Sequence, residues 1–282
     1  MLVNTDDGGS ISLYTLRVES AEQGTYLPPR PIQPTLVAQL AFPRVKSPHH
    51  LIEALSRSSP LVPYPTPGRP FETACDSRMH MLELTYSTGT LLHMFFHNRF
   101  LTSLLPPDTG DPEKGSSEVI RLDWHEWGPK NTRVVEFLLH SRAVRYDRAV
   151  IPLPCFRALT RTGARCIHGS RVILPPHLLD DEPSTFTLRM MDFNVHPKRH
   201  NDPTSTARKP EGRFYALFPG PRHISGEGLF EHDIETSLPY TMTIKEDVPS
   251  PMAQDYYGFM IDREVLFGLG SRVSSPGRCT GM

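Results

Sequence analysis

Prolines punctuate this chain so closely that long helices are excluded over most of its length. There are 29 of them in 282 residues, about twice ordinary usage, and each one fixes φ and deletes a backbone donor. Between the prolines, apolar residues recur with a period of two. That combination calls for short strands separated by turns, about one strand every 10–15 residues. The expected fold is all-β and mainly antiparallel, a degenerate or partial β-propeller-like array, with a β-sandwich as the alternative. No alternation of strands with long helices is present, which disfavours a parallel α/β sheet.

Residues 79–105 carry the strongest local signal. Apolar runs 79–86 and 90–96 flank Ser87-Thr88-Gly89, which predicts a hairpin. Alternation then puts Leu92, Met94 and Phe96 on one face and Leu91, His93, Phe95 and His97 on the other. A third apolar run covers 100–105. Further strands are expected at 10–18, 36–42, 118–124, 166–174, 186–194, 214–218, 228–235, 238–245 and 256–261. Residues 134–141 fit helix or strand. Ser47-Pro48 reads as a helix start, followed by about two turns through Arg57 that present Leu51, Ile52 and Leu55. The expected organisation is a single β-rich domain over 1–270, with a proline-rich loop at 59–70, a polar loop at 197–212 and a disordered tail at 271–282.

Composition removes several classes. The hydrophobic share is 38%, enough for a core in a chain of this length. A net charge of −1 supplies no general attraction to nucleic acid or anionic membrane. Cys75, Cys155, Cys166 and Cys279 lack metal or redox spacing and do not form a secreted disulfide framework. The first residues lack a basic start and an apolar core, so no signal peptide is expected. The densest apolar region, 91–105, is broken by His93, His97, Asn98 and Arg99 and cannot span a bilayer. The expected location is cytoplasmic or nuclear.

The candidate sites are weak. Trp124 and Trp127, with Asp123 and Glu126 beside them, have the composition of an aromatic clamp for a cation, but large aromatics more often anchor a core. His196 and His200 are four apart, with Asp192 and Asp202 flanking. On a helix they would face one metal ion, yet Pro197 and Pro203 favour a loop. His49-His50 reads as a helix start. Ser225 lacks the glycine two residues before it that a nucleophile elbow needs. Glu231, His232, Asp233 and Glu235 read as a charged strand edge. Lys198, Arg199, Arg208 and Lys209, with Phe214 and Tyr215 nearby, are too sparse for a nucleic-acid platform.

Five blocks, taken in order, resemble one family. They are Asp123-Trp124-His125-Glu126-Trp127-Gly128-Pro129-Lys130-Asn131-Thr132-Arg133; Cys166-Ile167-His168-Gly169-Ser170-Arg171-Val172; Met191-Asp192-Phe193-Asn194 with Pro197; Thr236-Ser237-Leu238-Pro239-Tyr240; and Met260-Ile261-Asp262-Arg263-Glu264. Together they resemble the C-terminal region of F-box proteins from mushroom-forming fungi, over most of residues 10–270. The resemblance implies a target-binding region of a ubiquitin-ligase substrate receptor, with a propeller-like β scaffold. Two departures stand out. Residues 1–48 are β-like and broken by Pro28, Pro29, Pro31, Pro34 and Pro43, so no F-box that would dock the ligase adaptor is expected there. Residues 143–164 read as a loop insertion or a gene-model error.

The expected function is therefore a non-enzymatic protein-interaction module. It is expected to use no cofactor and no metal and to bind protein targets rather than nucleic acid or membrane. The alternatives are a metal-dependent hydrolase built on His196 and His200, and a truncated, non-functional relative.

Overall fold

The computed structural model describes residues 1–16, 34–59, 75–106, 118–137, 167–177, 185–195, 213–249, 256–261 and 266–270. The expectations for 60–70, 143–164, 197–212 and 271–282 fall outside them. In chain order the first elements are β1 (Leu2–Asn4), β2 (Ser10–Leu16), β3 (Pro34–Ala41), β4 (Leu51–Ser58), β5 (Met79–Tyr86), β6 (Leu91–His97), α1 (Asn98–Ser103), β7 (Ile120–Leu122), α2 (Trp124–Asn131) and β8 (Thr132–Phe137). They are followed by β9 (Ile167–His168), β10 (Arg171–His177), β11 (Thr185–Asp192), β12 (Arg213–Phe218), β13 (Arg222–Ile224), β14 (Ile234–Thr236), β15 (Tyr240–Pro249), β16 (Tyr256–Ile261) and β17 (Leu266–Gly270).

The protein is all-β and mainly antiparallel, with no sheet of the described residues closed into a barrel. Where one domain over 1–270 was expected, packing divides the chain into two compact units. One draws on Met1–Ser58, His80–Val144 and Gly220–Leu238, the other on Ser59–Met79, Arg145–Pro219 and Pro239–Met282. Both are discontinuous in sequence.

The first unit is a sandwich. One sheet has the order β1-β2-β3-β7 and the other β4-β5-β6-β8, with the short β13-β14 hairpin beside them in the same unit. Only the β3–β7 pair is parallel in these sheets. Ile11, Leu13 and Leu40 from the first sheet meet Leu82, Leu84, Leu92, Met94, Phe96 and Val134 from the second in one core. The expected hairpin is β5 and β6, and Gly89 turns it at φ 80°, a conformation glycine adopts without a Cβ penalty. Of the two forms expected from the sequence, the sandwich is the one this unit builds. No sheet of the described residues keeps the consecutive four-strand order of a propeller blade.

Several local expectations are corrected. The helix expected from Ser47-Pro48 to Arg57 is strand β4, paired with β5 from Leu51↔Tyr86 to Ser58↔His80. Leu51 is buried but Ile52 is 52% exposed, so the apolar set that looked helical is split across two faces. Ladder bonds to an apolar central strand outweigh a marginal two-turn helix. The apolar run 100–105 overlaps helix α1 instead of a strand, with Leu101 as its buried residue. The run expected as a strand at 228–235 is mostly a turn, and only its end enters β14. Residues 132–137 resolve the helix-or-strand ambiguity as β8, paired with β6 from Phe96↔Thr132 to Leu91↔Phe137.

Tyr86 sits in this core with 0% exposure, edge-on to Phe230 at 5.4 Å. Its hydroxyl has no hydrogen-bond partner among the described residues, and burial pushes the phenol well above its ordinary pKa. A buried hydroxyl without a partner is a net cost. Tyr86→Phe is therefore expected to leave stability unchanged or raise it by up to about 1 kcal/mol. The unfolded phenol ionises near pH 10 and the buried one does not. The neutral form is therefore favoured in the fold, and the advantage of the variant widens above about pH 10. Urea unfolding of both proteins checks this, and a clear loss on removing the hydroxyl would reveal a partner for it.

The second unit holds an antiparallel sheet of order β12-β15-β11-β10-β9 and the hairpin β16-β17. Val172, Ile173, Leu174, Met191, Phe193 and Tyr240 are buried there. Pro175 and Pro176 were expected to end a strand. They lie within β10, where the register against β11 shifts between Leu174 and His177. A shift in register is a place where a sheet tolerates residues lacking a donor.

Candidate functional site

The tryptophan block is a helix held at both ends, rather than the strand-to-loop passage its Gly-Pro suggests. At its start Asp123 and Glu126 form a capping box, with the Asp123 N–H donating to Glu126 Oε2 at 2.7 Å. This satisfies one donor and favours negative charge at the helix start. Trp127 is 1% exposed. Its Nε1–H donates to the Ala41 carbonyl at 2.8 Å, and its ring lies against Phe100 at 5.7 Å and Trp124 at 5.2 Å. Gly128 is required because a Cβ there would overlap the Trp124 ring. At the other end three carbonyls of the last turns find donors. Asn131 Nδ2 donates to Trp127 O (2.8 Å) and Thr132 Oγ1 to Gly128 O (2.7 Å). The Ser237 N–H and hydroxyl both donate to Pro129 O at 2.7 Å. Asp123, Glu126 and the two rings are thus occupied by the helix itself and do not form a cation clamp.

Four of the five sequence blocks dock on one another in two pairs. Arg133, which is buried, donates from Nε to Leu238 O (2.8 Å) and from Nη2 to Gly220 O (2.9 Å). With the bonds of Ser237, this joins the block at 123–133 to the block at 236–240. In the second unit, Ser170 Oγ donates to Asp192 Oδ1 at 2.8 Å and Arg171 Nε to Asp192 Oδ2 at 3.1 Å. That joins the block at 166–172 to the block at 191–194. The Arg171–Asp192 pair is partly exposed and contributes little on its own. Asp192 was noted as flanking the His196 and His200 pair. Its carboxylate instead fixes a strand end, and the Asn194 N–H also donates to it at 2.9 Å.

Among the described residues of the first unit, polar side chains come together around a histidine at two places. His93 Nε2 lies 3.5 Å from Glu83 Oε2, with both side chains buried on β6 and β5. At the end of the β4–β5 ladder, Ser58 Oγ is 2.9 Å from His80 Nδ1, and His80 Nε2 is 3.0 Å from Asn98 Oδ1. His80 is 6% exposed and stacks on Phe96 at 5.4 Å with a 17° interplanar angle. Sequence reasoning did not reach this trio. Its members fall on two strands and a helix start, and only the register of β4 on β5 brings Ser58 opposite His80.

The segment from Ile224 to Ile234 is a loop stitched to the core. Ile224, Leu229, Phe230 and Ile234 are buried. Lys46 N–H donates to Leu229 O (2.8 Å) and Glu231 N–H to Arg44 O (3.0 Å), while Lys46 Nζ donates to Gly226 O at 3.2 Å. Gly226 N–H donates to Asp233 Oδ1 at 2.7 Å. Ser225 lies in this turn, as its glycines suggest. Glu227, Glu231, His232 and Glu235 are exposed, and Asp233 is exposed while its carboxylate holds the turn.

His196, His200 and Asp202, and the basic residues Lys198, Arg199, Arg208 and Lys209, lie outside the described residues. Among the described residues no group of three His, Cys, Asp or Glu side chains is placed to hold a metal ion. No described helix is long and apolar enough to cross a membrane. No family model, no curated protein and no solved structure matches the chain.

Proposed function

We propose that this protein is an interaction module that holds a protein target, in the manner of the target-binding part of an F-box ubiquitin-ligase receptor, in the cytoplasm or nucleus. The observation that carries the reading is the loop from Ile224 to Ile234. Four apolar side chains and the main chain of residues 44–46 pin it, so its exposed side chains are displayed with little ordering entropy left to lose on binding. Glu227 and Glu231 on the loop, with Glu235 just beyond it on β14, make that display acidic in a chain whose overall charge is only −1. A basic segment of a target is the complementary partner, and its binding weakens as salt rises.

Affinity capture with mass spectrometry tests this. The wild-type chain is expected to recover a reproducible set of proteins. The combined variant Glu227→Lys, Glu231→Lys, Glu235→Lys is expected to lose them with its melting temperature little changed, because all three side chains are exposed. Recovery of the same set by the variant would move the binding surface elsewhere, and recovery of no reproducible protein would remove the reading.

A further inference from the structure

We propose that Ser58, His80 and Asn98 form a hydroxyl–imidazole–amide relay that activates Ser58 as a nucleophile toward activated carboxylic esters. The hydrogen bonds set the imidazole tautomer. Asn98 Oδ1 can only accept, so at 3.0 Å it takes the Nε2–H and leaves the Nδ1 lone pair facing Ser58 Oγ at 2.9 Å. A nucleophile, a base within hydrogen-bond reach and a third group orienting the base are the parts an activated serine needs. Burial is distributed to match. Ser58 is exposed at the end of β4, where an acyl donor can reach it, while His80 is 6% exposed. The Phe96 ring, stacked on the imidazole, holds its plane. The β4–β5 register sets Ser58 directly opposite His80, so the pair rests on two strands rather than on a loop.

The step balances within these groups. Ser58 Oγ attacks the ester carbonyl carbon and its proton passes to His80 Nδ1. The Oγ–C bond forms, the bond from carbon to the alcohol oxygen breaks, and the alkoxide or phenolate leaves, taking the proton from His80 when it needs one. Where the leaving group departs unprotonated, His80 passes its proton to solvent. The neutral imidazole then deprotonates water, and the resulting hydroxide attacks the acyl carbon. The C–Oγ bond breaks, and Ser58 Oγ takes the proton back from His80 as the carboxylic acid leaves. Ser58 and His80 are the catalytic residues, and Asn98 is a positioning residue acting through His80. This activity goes beyond target binding and does not depend on it.

The experiment uses the full chain with p-nitrophenyl acetate, whose phenolate leaves unprotonated, and follows acetylation by peptide mass spectrometry. Ser56 is an internal reference, since it is also exposed on β4 and lies opposite Leu82. Trypsin cutting after Arg57 separates the two serines into different peptides. Acetylation of Ser58 is expected to run at least about 100-fold faster than that of Ser56, the lower end of what a positioned base supplies. His80→Gln should bring the two rates together. Because His80 is buried and that variant can fail to fold, the Asn98 pair supplies an independent readout. Asn98→Ala should slow Ser58 acetylation about 10-fold or more, and Asn98→Asp, which keeps an acceptor for the Nε2–H, should restore it. Equal rates at Ser58 and Ser56, or an Asn98→Ala protein that acetylates Ser58 at the parent rate, would overturn the proposal.

Discussion

Replacing Trp127 by alanine is expected to destabilise the first unit by about 3–5 kcal/mol. Two losses coincide. The indole is 1% exposed and is surrounded by Phe96, Phe100 and Trp124, with ring centroids 5.2–6.4 Å away, so truncation leaves a cavity that rigid aromatic neighbours cannot close. The Ala41 carbonyl, which is half-buried, also loses its donor at 2.8 Å, and an acceptor left without a donor costs up to about 1–3 kcal/mol as its burial becomes complete. Trp127→Phe separates the two in large part, because it keeps much of the ring volume while losing the hydrogen bond. It should fall well short of the alanine variant, at about 1–3 kcal/mol. Total stabilities of domains run about 5–15 kcal/mol, so the alanine variant is expected to be partly unfolded at 37 °C. Urea unfolding followed by far-UV circular dichroism, with the slope held equal, measures both. An alanine variant within 1 kcal/mol of the parent would mean the indole does not tie α2 to β3.

What was legible in the sequence follows the range of the interactions. The β5–β6 hairpin was readable because its turn, its alternation and its core face all lie within residues 79–97, and each pointed the same way. Helix α2 was not foreseen: residues 118–124 were expected as a strand, although Asp123 and Glu126 have capping-box spacing, and Gly128-Pro129 is a pair that ordinarily breaks a helix. Side chains from Asn131, Thr132 and Ser237 satisfy the carbonyls that the proline end leaves open, and Ser237 is more than a hundred residues away in sequence. The helix expected over 48–57 fails for a related reason. Leu51, Ile52 and Leu55 carry a helical spacing that is overridden by an unpaired edge of β5, a long-range partner no local window contains. The Ser58–His80–Asn98 trio was invisible for the same cause. It has no spacing motif, and a one-residue slip of β4 on β5 would take Ser58 to the opposite face of the sheet. Division into two units was equally hidden, since the chain passes between them several times.

Gly9→Ala is expected to destabilise the same unit by about 2–6 kcal/mol, the sum of a backbone term and a packing term. Gly9 has φ 92° and ψ 148°, a region an L side chain adopts only under strain worth about 1–3 kcal/mol. A Cβ there would also lie 2.5 Å from Phe42 Cδ2 and 2.7 Å from Leu51 Cδ2, and both rows of atoms belong to the core. Overfilling such a site costs about 1–3 kcal/mol more. The backbone cannot swing away, because the Gly9 N–H donates to Asp6 O at 2.9 Å and its carbonyl accepts from Phe42 N–H at 3.0 Å. Gly8 is the control. Its φ is 90°, nearly the same, but a Cβ on it would meet nothing within 4 Å. Gly8→Ala should therefore show the backbone term alone, and the difference between the two variants isolates the close approach of β2 to Phe42 and Leu51. That approach is what lets the strand entering from residue 9 lie flush against the second sheet, so the difference measures how tightly the two sheets are closed at this end. Thermal or urea unfolding of both variants reads it directly. If Gly9→Ala proves no worse than Gly8→Ala, the two side chains can move aside and the sandwich is looser there than its packing implies.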